Sequence, residues 1–131
     1  METRERAQKF LGRYAEALNA ADAEALAACW QVPALVLSDE SAYAFESEDE
    51  VRAFLASDGA RHRDQGIAAT APTSINVAEL SPRILRVDVV WSHRDAAGAE
   101  RSRRYTYYLL HLDAEGRPRI RVAVDAPMPP G

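Results

Sequence analysis

Apolar residues recur every three or four positions along the first part of the chain, a spacing typical of amphipathic helices. Phe10, Tyr14 and Leu18 stand four residues apart, with smaller apolar residues beside them. These side chains share one helix face, and a helix is predicted over 3–20. Because a buried tyrosine hydroxyl needs a hydrogen-bond partner, Tyr14 brings a polar group into an otherwise apolar interior.

Two residue patterns mark where further helices begin. Asp22 is placed to accept the unpaired backbone N–H groups of a short second helix over 23–30. Ser47 and the glutamate three residues later form a capping box, which predicts the start of a third helix. That helix ends near 58–59 or near 65–66, where a glycine occurs in each case.

From position 67 onward the apolar repeat changes to alternation, which is typical of strands with one covered face. With a short hairpin that precedes the third helix, the predicted strands are 34–38, 42–45, 75–80, 84–93, 101–112 and 119–124. Helices that come first and strands that come later predict an α+β fold. We expect one domain over 1–131, with an irregular tail from about 126. Three helices on one side of a curved, mainly antiparallel sheet leave a cone whose open end can hold a ligand.

The composition argues against several classes of function. A formal net charge of −4 at pH 7 argues against nucleic-acid binding, which needs clustered Lys and Arg. Cys29 is the single cysteine, so neither an internal disulfide nor a thiolate zinc site is expected. The chain has no signal-peptide pattern, and no apolar run approaches the roughly 20 residues that span a bilayer. We expect a cytoplasmic protein with no cofactor and no membrane partner.

The segment Arg13–Asp22 reads Arg-Tyr-Ala-Glu-Ala-Leu-Asn-Ala-Ala-Asp and lies in the first predicted helix. With the order of helices and strands, this segment resembles the NTF2-like superfamily, also described as SnoaL-like or ketosteroid isomerase-like. The hairpin at Leu112–Gly116 adds weaker support, and the resemblance covers about 4–124. It implies a cone of three helices on a strongly curved sheet. Members include isomerases, dehydratases, cyclases and epoxide hydrolases, and many are non-catalytic.

The resemblance to ketosteroid isomerases also implies candidate catalytic residues. Tyr14 falls where those enzymes place a tyrosine that donates to the developing enolate oxygen. Tyr108 falls where they place a second, protonated aspartate donor. Ser38 stands at the position of their aspartate base, and Asp39 follows one residue later. As a base, Asp39 would need to face the apolar cavity, where burial would raise its pKa.

Each of these candidates also has a structural interpretation. Tyr14 is alternatively a core residue whose hydroxyl bonds to Tyr108 or to a backbone carbonyl. Asp39 is alternatively a turn residue, because aspartate side chains readily accept from nearby backbone N–H groups. The sequence leaves both alternatives open.

The predicted cavity is apolar with a few polar groups, which suits a small, largely hydrophobic molecule. We place in it the residues Tyr14, Trp30, Val36, Phe54, Val89, Trp91, Tyr108 and Leu110. Binding without established catalysis is the first hypothesis. The second is an enzyme for isomerisation, dehydration or cyclisation, with Asp39 as base and the two tyrosines as donors. The third is a non-catalytic interaction module.

Other polar residues in the strands are given structural roles. Asp88 alternates with Arg86, which favours a solvated or arginine-paired carboxylate. The three histidines, His62, His93 and His111, are scattered along the chain with no supporting carboxylate spacing, so no metal site is expected. If a histidine acts as a base, His111 is the better candidate, because leucines flank it.

The fifth predicted strand interleaves arginines with tyrosines. Alternation places Arg103, Tyr105 and Tyr107 on one face, and Arg119 and Arg121 of the next strand could join them. Amphipathic arginine and tyrosine side chains suit a protein interface. Since the superfamily often dimerises through its outer sheet face, the resemblance implies a homodimer there.

Overall fold

A computed structural model describes residues 2–126 of the chain. The helices are α1 (Thr3–Asn19), α2 (Ala23–Ala28) and α3 (Glu48–Asp64). The strands are β1 (Trp30–Leu37), β2 (Ala42–Phe45), β3 (Ala69–Ser81), β4 (Ile84–Arg94), β5 (Glu100–Leu112) and β6 (Pro118–Ala126). The α+β class is confirmed. The tail that we predicted to be irregular lies, beyond Ala126, outside the described residues.

The predicted helix signals are confirmed. In α1, Phe10 and Tyr14 are buried on one face together with Ala7, Leu11 and Ala17. The Asp22 side chain accepts from the backbone N–H of Ala25 at 3.1 Å, as an N-cap does. Between residues 2 and 126, no helix is both long and apolar enough to cross a membrane.

Helix α3 begins with the predicted capping box. The Ser47 hydroxyl accepts from the Glu50 backbone N–H at 3.2 Å, and the Glu50 carboxylate accepts from the Ser47 backbone N–H at 3.1 Å. The helix ends at the later of the two predicted positions, followed by Gly66 at a φ of +80°. Such a φ favours glycine, because a Cβ is strained there.

The strands form one curved sheet in the order β2-β1-β6-β5-β4-β3. All neighbouring strands are antiparallel except β1 and β6, which are parallel. Pairing shifts interrupt several ladders, including those between Pro72 and Ser74 and between Leu109 and Leu110. Such irregularities bend a strand and increase its twist. The helices pack against the concave face of the sheet.

Two predicted strand boundaries are wrong. The second helix ends at Ala28, and Trp30 already belongs to β1, where it is paired with Ile120 of β6. The pairing of β1 with β6 is irregular from Trp30 to Leu35, and two arginine side chains donate to backbone carbonyls of β1 in this region. Arg119 donates to the Trp30 carbonyl and Arg121 to the Pro33 carbonyl, and both side chains remain partly exposed.

Strand β3 is the other boundary correction, since it begins at Ala69 and not at Ile75. The segment Ala69–Ser74 contains Pro72 and few β-favouring apolar residues, so its sequence reads as a loop. Proline is tolerated there because β3 is an edge strand and needs hydrogen bonds on one side only.

Candidate ligand-binding cavity

A cavity of about 530 Å³, open to solvent on one side, lies at the wide end of the cone. Of the residues predicted to line it, those that do are Tyr14, Trp30, Val36, Phe54, Trp91 and Tyr108. Val89 and Leu110 do not line it, and that part of the prediction is wrong. Both are fully buried in the narrow end of the cone, in the same apolar cluster as Leu11. Both side chains lie on the same buried face of the sheet as Trp91.

Two tyrosine–tryptophan pairs form the floor of the cavity. The Trp30 indole N–H donates to the Tyr14 hydroxyl at 3.1 Å, and the Trp91 indole N–H donates to the Tyr108 hydroxyl at 3.1 Å. The Tyr14 and Tyr108 rings meet edge to face, with centroids 6.4 Å apart. The partner of Tyr14 is therefore Trp30, and not Tyr108 or a carbonyl.

This arrangement leaves both hydroxyls able to donate. Each oxygen accepts from an indole that has no acceptor capacity, so each hydroxyl keeps its own proton to donate, and the Thr106 hydroxyl lies within hydrogen-bonding range of Tyr108. Burial raises the pKa of Tyr14 and of Tyr108 well above the ordinary value, so both phenols are neutral at pH 7. The two hydroxyls suit a carbonyl or hydroxyl oxygen of a bound molecule.

Asp39 lies at the rim of the cavity and is exposed. It sits in the turn between β1 and β2, where the Ser38 and Ser41 hydroxyls are 2.9 Å apart. Asp39 therefore does not have the apolar, buried surroundings that the sequence analysis required of a base there. The structure therefore brings Tyr14 and Tyr108 together but leaves Asp39 apart from them.

The opposite wall of the cavity is polar, and the sequence analysis missed it. Helix α3 contributes Asp58, Arg61 and His62, and Asp58 accepts from Arg61. The strands contribute the residues Thr70, His93, Arg104, Thr106 and Asp125. In this group the Thr106 hydroxyl donates to Asp125 at 3.1 Å, and Arg104 lies 3.6 Å from the same carboxylate. The charged groups of this wall are therefore paired.

Two imidazoles meet in the polar wall. The rings of His62 and His93 have centroids 4.8 Å apart, and His93 is only 5% exposed. The Nδ1 atom of His93 lies 2.9 Å from the Thr70 hydroxyl oxygen. Burial, with contributions from His62 and Arg104, lowers the pKa of His93 to about 4. Burial also lowers the pKa of His62.

A signal for His93 was present in the sequence. Odd-numbered residues of β4 face the concave side, and the same alternation that buries Val87 and Trp91 carries on to His93. His111 instead lies beside Gln31, with Nδ1 3.3 Å from the amide oxygen, and does not line the cavity. The preference for His111 over the other histidines is therefore wrong.

Two further predictions concerned the partner of Asp88 and a possible metal site. Asp88 pairs with Arg86 at 3.2 Å, as predicted. Within residues 2–126, no three His, Cys, Asp or Glu side chains converge as a metal site would require.

Helices on the concave face of a bent, mainly antiparallel sheet, with a cavity at the wide end, define an NTF2-like protein. A family model described as NTF2-like protein (DUF6841) matches residues 4–128, and the chain belongs to this family. A comparison with curated proteins finds no match.

Solved structures share the fold at low sequence identity. An NTF-2 like protein of unknown function from Shewanella oneidensis MR-1 is 15% identical, with a TM-score of 0.75 over 96% of this chain and 100% of that one. An NTF2-like protein with a cystatin-like fold from Novosphingobium aromaticivorans is 14% identical, with a TM-score of 0.76 over 98% and 83%. A protein provisionally described as a ketosteroid isomerase, from Shewanella frigidimarina, is 10% identical, with a TM-score of 0.70 over 92% and 94%.

Replacing Tyr14 with Phe should destabilise the protein without unfolding it. The Trp30 indole N–H would lose its acceptor in a buried site, which costs about 1–3 kcal/mol. Urea unfolding followed by tryptophan fluorescence measures this loss. Tyr43→Phe is the matched control, because Tyr43 is 49% exposed at the cavity rim. Equal stabilities of the two variants would contradict the assigned hydrogen bond.

Stability should fall in acid because of His93. Its pKa is about 4 in the folded protein and 6.5 ordinarily, so below 6.5 the unfolded chain binds a proton that the folded chain does not. From pH 6.5 down to 4, the wild type should lose up to about 3 kcal/mol more than His93→Gln. Urea unfolding at several pH values measures the difference. If the free energies of unfolding of the two proteins changed with pH in parallel, the pKa of His93 would not be lowered in the folded protein.

Proposed function

We propose that this protein binds a small, largely apolar molecule in the cavity at the wide end of the cone. The observation that carries the proposal is the floor of paired aromatic residues, whose two buried hydroxyls each accept from an indole N–H. Apolar walls with a few oriented polar groups are typical of small-molecule sites. A volume of about 530 Å³ is within the usual range for such sites.

A second candidate is an enzyme acting next to a carbonyl. The Tyr14 and Tyr108 side chains favour it, because their rings are in contact and hydroxyl donors close to a reacting oxygen stabilise a developing negative charge. The exposed position of Asp39 weighs against that residue as the base. If the wild type converts a carbonyl substrate, loss of that turnover in Asp39→Asn would indicate that Asp39 is the catalytic base.

Filling the cavity should prevent binding. Ala123 is buried in the cavity wall, and Ala123→Leu adds bulk there. We expect the neutral dye Nile red to bind the wild type, with enhanced fluorescence, and to bind Ala123→Leu at least several-fold more weakly. Ala114→Leu is the control, because Ala114 is exposed in the turn between β5 and β6. Equal dye binding by all three folded proteins would place the dye elsewhere and argue against the cavity.

We also propose a homodimer through the convex face of the sheet. Two apolar rows cross three neighbouring strands, Leu35 beside Val122 and Leu109, and Leu37 beside Val124 and Tyr107. All of these side chains are half-buried in the single chain. Hydrophobic contact between two copies would remove the rest of this surface from water.

Light scattering coupled to size exclusion tests the dimer. The wild type should have twice the chain mass of 14.5 kDa, and Leu109→Glu should have the single-chain mass. Leu80→Glu is the control, since Leu80 is 56% exposed on the edge strand β3, away from both rows. A monomeric wild type would contradict the proposed interface.

A further inference from the structure

A second hollow of about 240 Å³ lies next to the cavity, lined by residues of all three helices and of β3. The residues that line both hollows are Leu18, Leu55, Asp58, His62 and Thr70. The other residues of the second hollow are mostly small and apolar, such as Ala23, Ala56 and Ala69. A side chain that lines two separate hollows stands between them, so the five shared residues form a partition.

The positions along α3 show how the partition is built. Residues three, four or seven positions apart share a helix face, so the inner residues of α3 fall into neighbouring rows. One row, with Phe54 and Arg61, lines the cavity alone. Another row, with Ala56 and Gly59, lines the second hollow alone. The shared residues of α3 form the row between these two, so α3 points that row at the boundary between the hollows.

The polar members of the partition are tied to their neighbours. Asp58 pairs with Arg61, and the His62 ring packs against a second histidine ring, on β4. Thr70 is fixed by Asn19, whose side-chain oxygen accepts from the Thr70 N–H at 2.8 Å and whose amide donates to the Thr70 carbonyl at 3.0 Å. These contacts hold the polar part of the partition in place.

The apolar members are the two leucines. Leu55 of α3 is 7% exposed and belongs to the apolar cluster of the core, and Leu18 of α1 is half-buried against the same cluster. Leucine side chains have no polar atoms, so packing alone holds them. Closely packed side chains leave no room for a further methylene group, so an apolar ligand cannot extend past these two residues.

We propose that Leu18 and Leu55 determine the length of the apolar chain that the cavity accepts. They close the cavity on the side of the second hollow, and a bound chain ends against them. A smaller residue at either position would join the two hollows and admit a longer chain. This inference rests on the proposed small-molecule binding, and it identifies the ligand as a molecule whose apolar part is limited in length.

Straight-chain alcohols of increasing length, from hexanol to tetradecanol, test the proposal. Displacement of Nile red gives their affinities. In the wild type, each added methylene should tighten binding about three- to fourfold until the chain reaches the partition, as expected for burial of a methylene group. Longer alcohols should bind no more tightly than that limiting chain. An affinity that rises through the whole series would overturn the inference.

Leu55→Ala and Leu18→Ala test the partition itself. In both variants the limiting chain should be longer, and alcohols a few carbons beyond the wild-type limit should bind roughly tenfold more tightly than to the wild type. Because Leu18 is only half-buried, Leu18→Ala covers the case in which Leu55→Ala fails to fold. Leu85→Ala is the matched control, since Leu85 is fully buried and lines neither hollow, and it should keep the wild-type limit.

The outcomes separate this inference from the proposed function. An unchanged limiting chain in the folded leucine variants, or the same increase in Leu85→Ala, would overturn the role of the partition and leave small-molecule binding standing. If Nile red bound but no alcohol displaced it, the inference alone would also fail. If Nile red did not bind the wild type at all, the proposed function would fail, and this inference with it.

Discussion

The hydrogen bond between the Trp30 indole and the Tyr14 hydroxyl is the interaction on which the cavity depends. It joins α1 to the first residue of β1, in a region where a phenol and an indole are both buried. Neither group is stable there without a partner, because burying an unpaired polar atom is costly. The Trp91–Tyr108 pair meets the same requirement within the sheet. These bulky pairs keep their polar atoms satisfied beside an open space rather than inside a packed core.

The bent sheet divides the interior into two parts with different roles. At the narrow end, Leu85, Leu110 and Ile120 are fully buried in one apolar cluster with Leu11 of α1 and provide close packing. At the wide end, α3 stands over the strands and the side chains enclose a hollow. The strand irregularities supply the bend, since a flat sheet would let the helices cover its whole face. The closely packed core and the cavity therefore lie at opposite ends of one continuous surface of the sheet.

The sequence predicted the parts of this fold that depend on local spacing. The buried stripe around Tyr14 and the capping box at Ser47 are set within a few residues, so periodicity and capping rules identified them. The start of β1 at Trp30 depends on parallel pairing with β6, which no local pattern encodes. The contact between His62 and His93 depends on how α3 is rotated over the sheet, and the sequence left that rotation undetermined. Long-range packing, and not local preference, decides the chemistry of the cavity wall.

A crystal structure of the protein soaked with Nile red tests the central claim most directly. The account predicts electron density for one dye molecule in the cavity, in contact with the aromatic floor that includes Trp30 and Trp91. A wide end filled by side chains, or dye bound only on the convex face of the sheet, would contradict it.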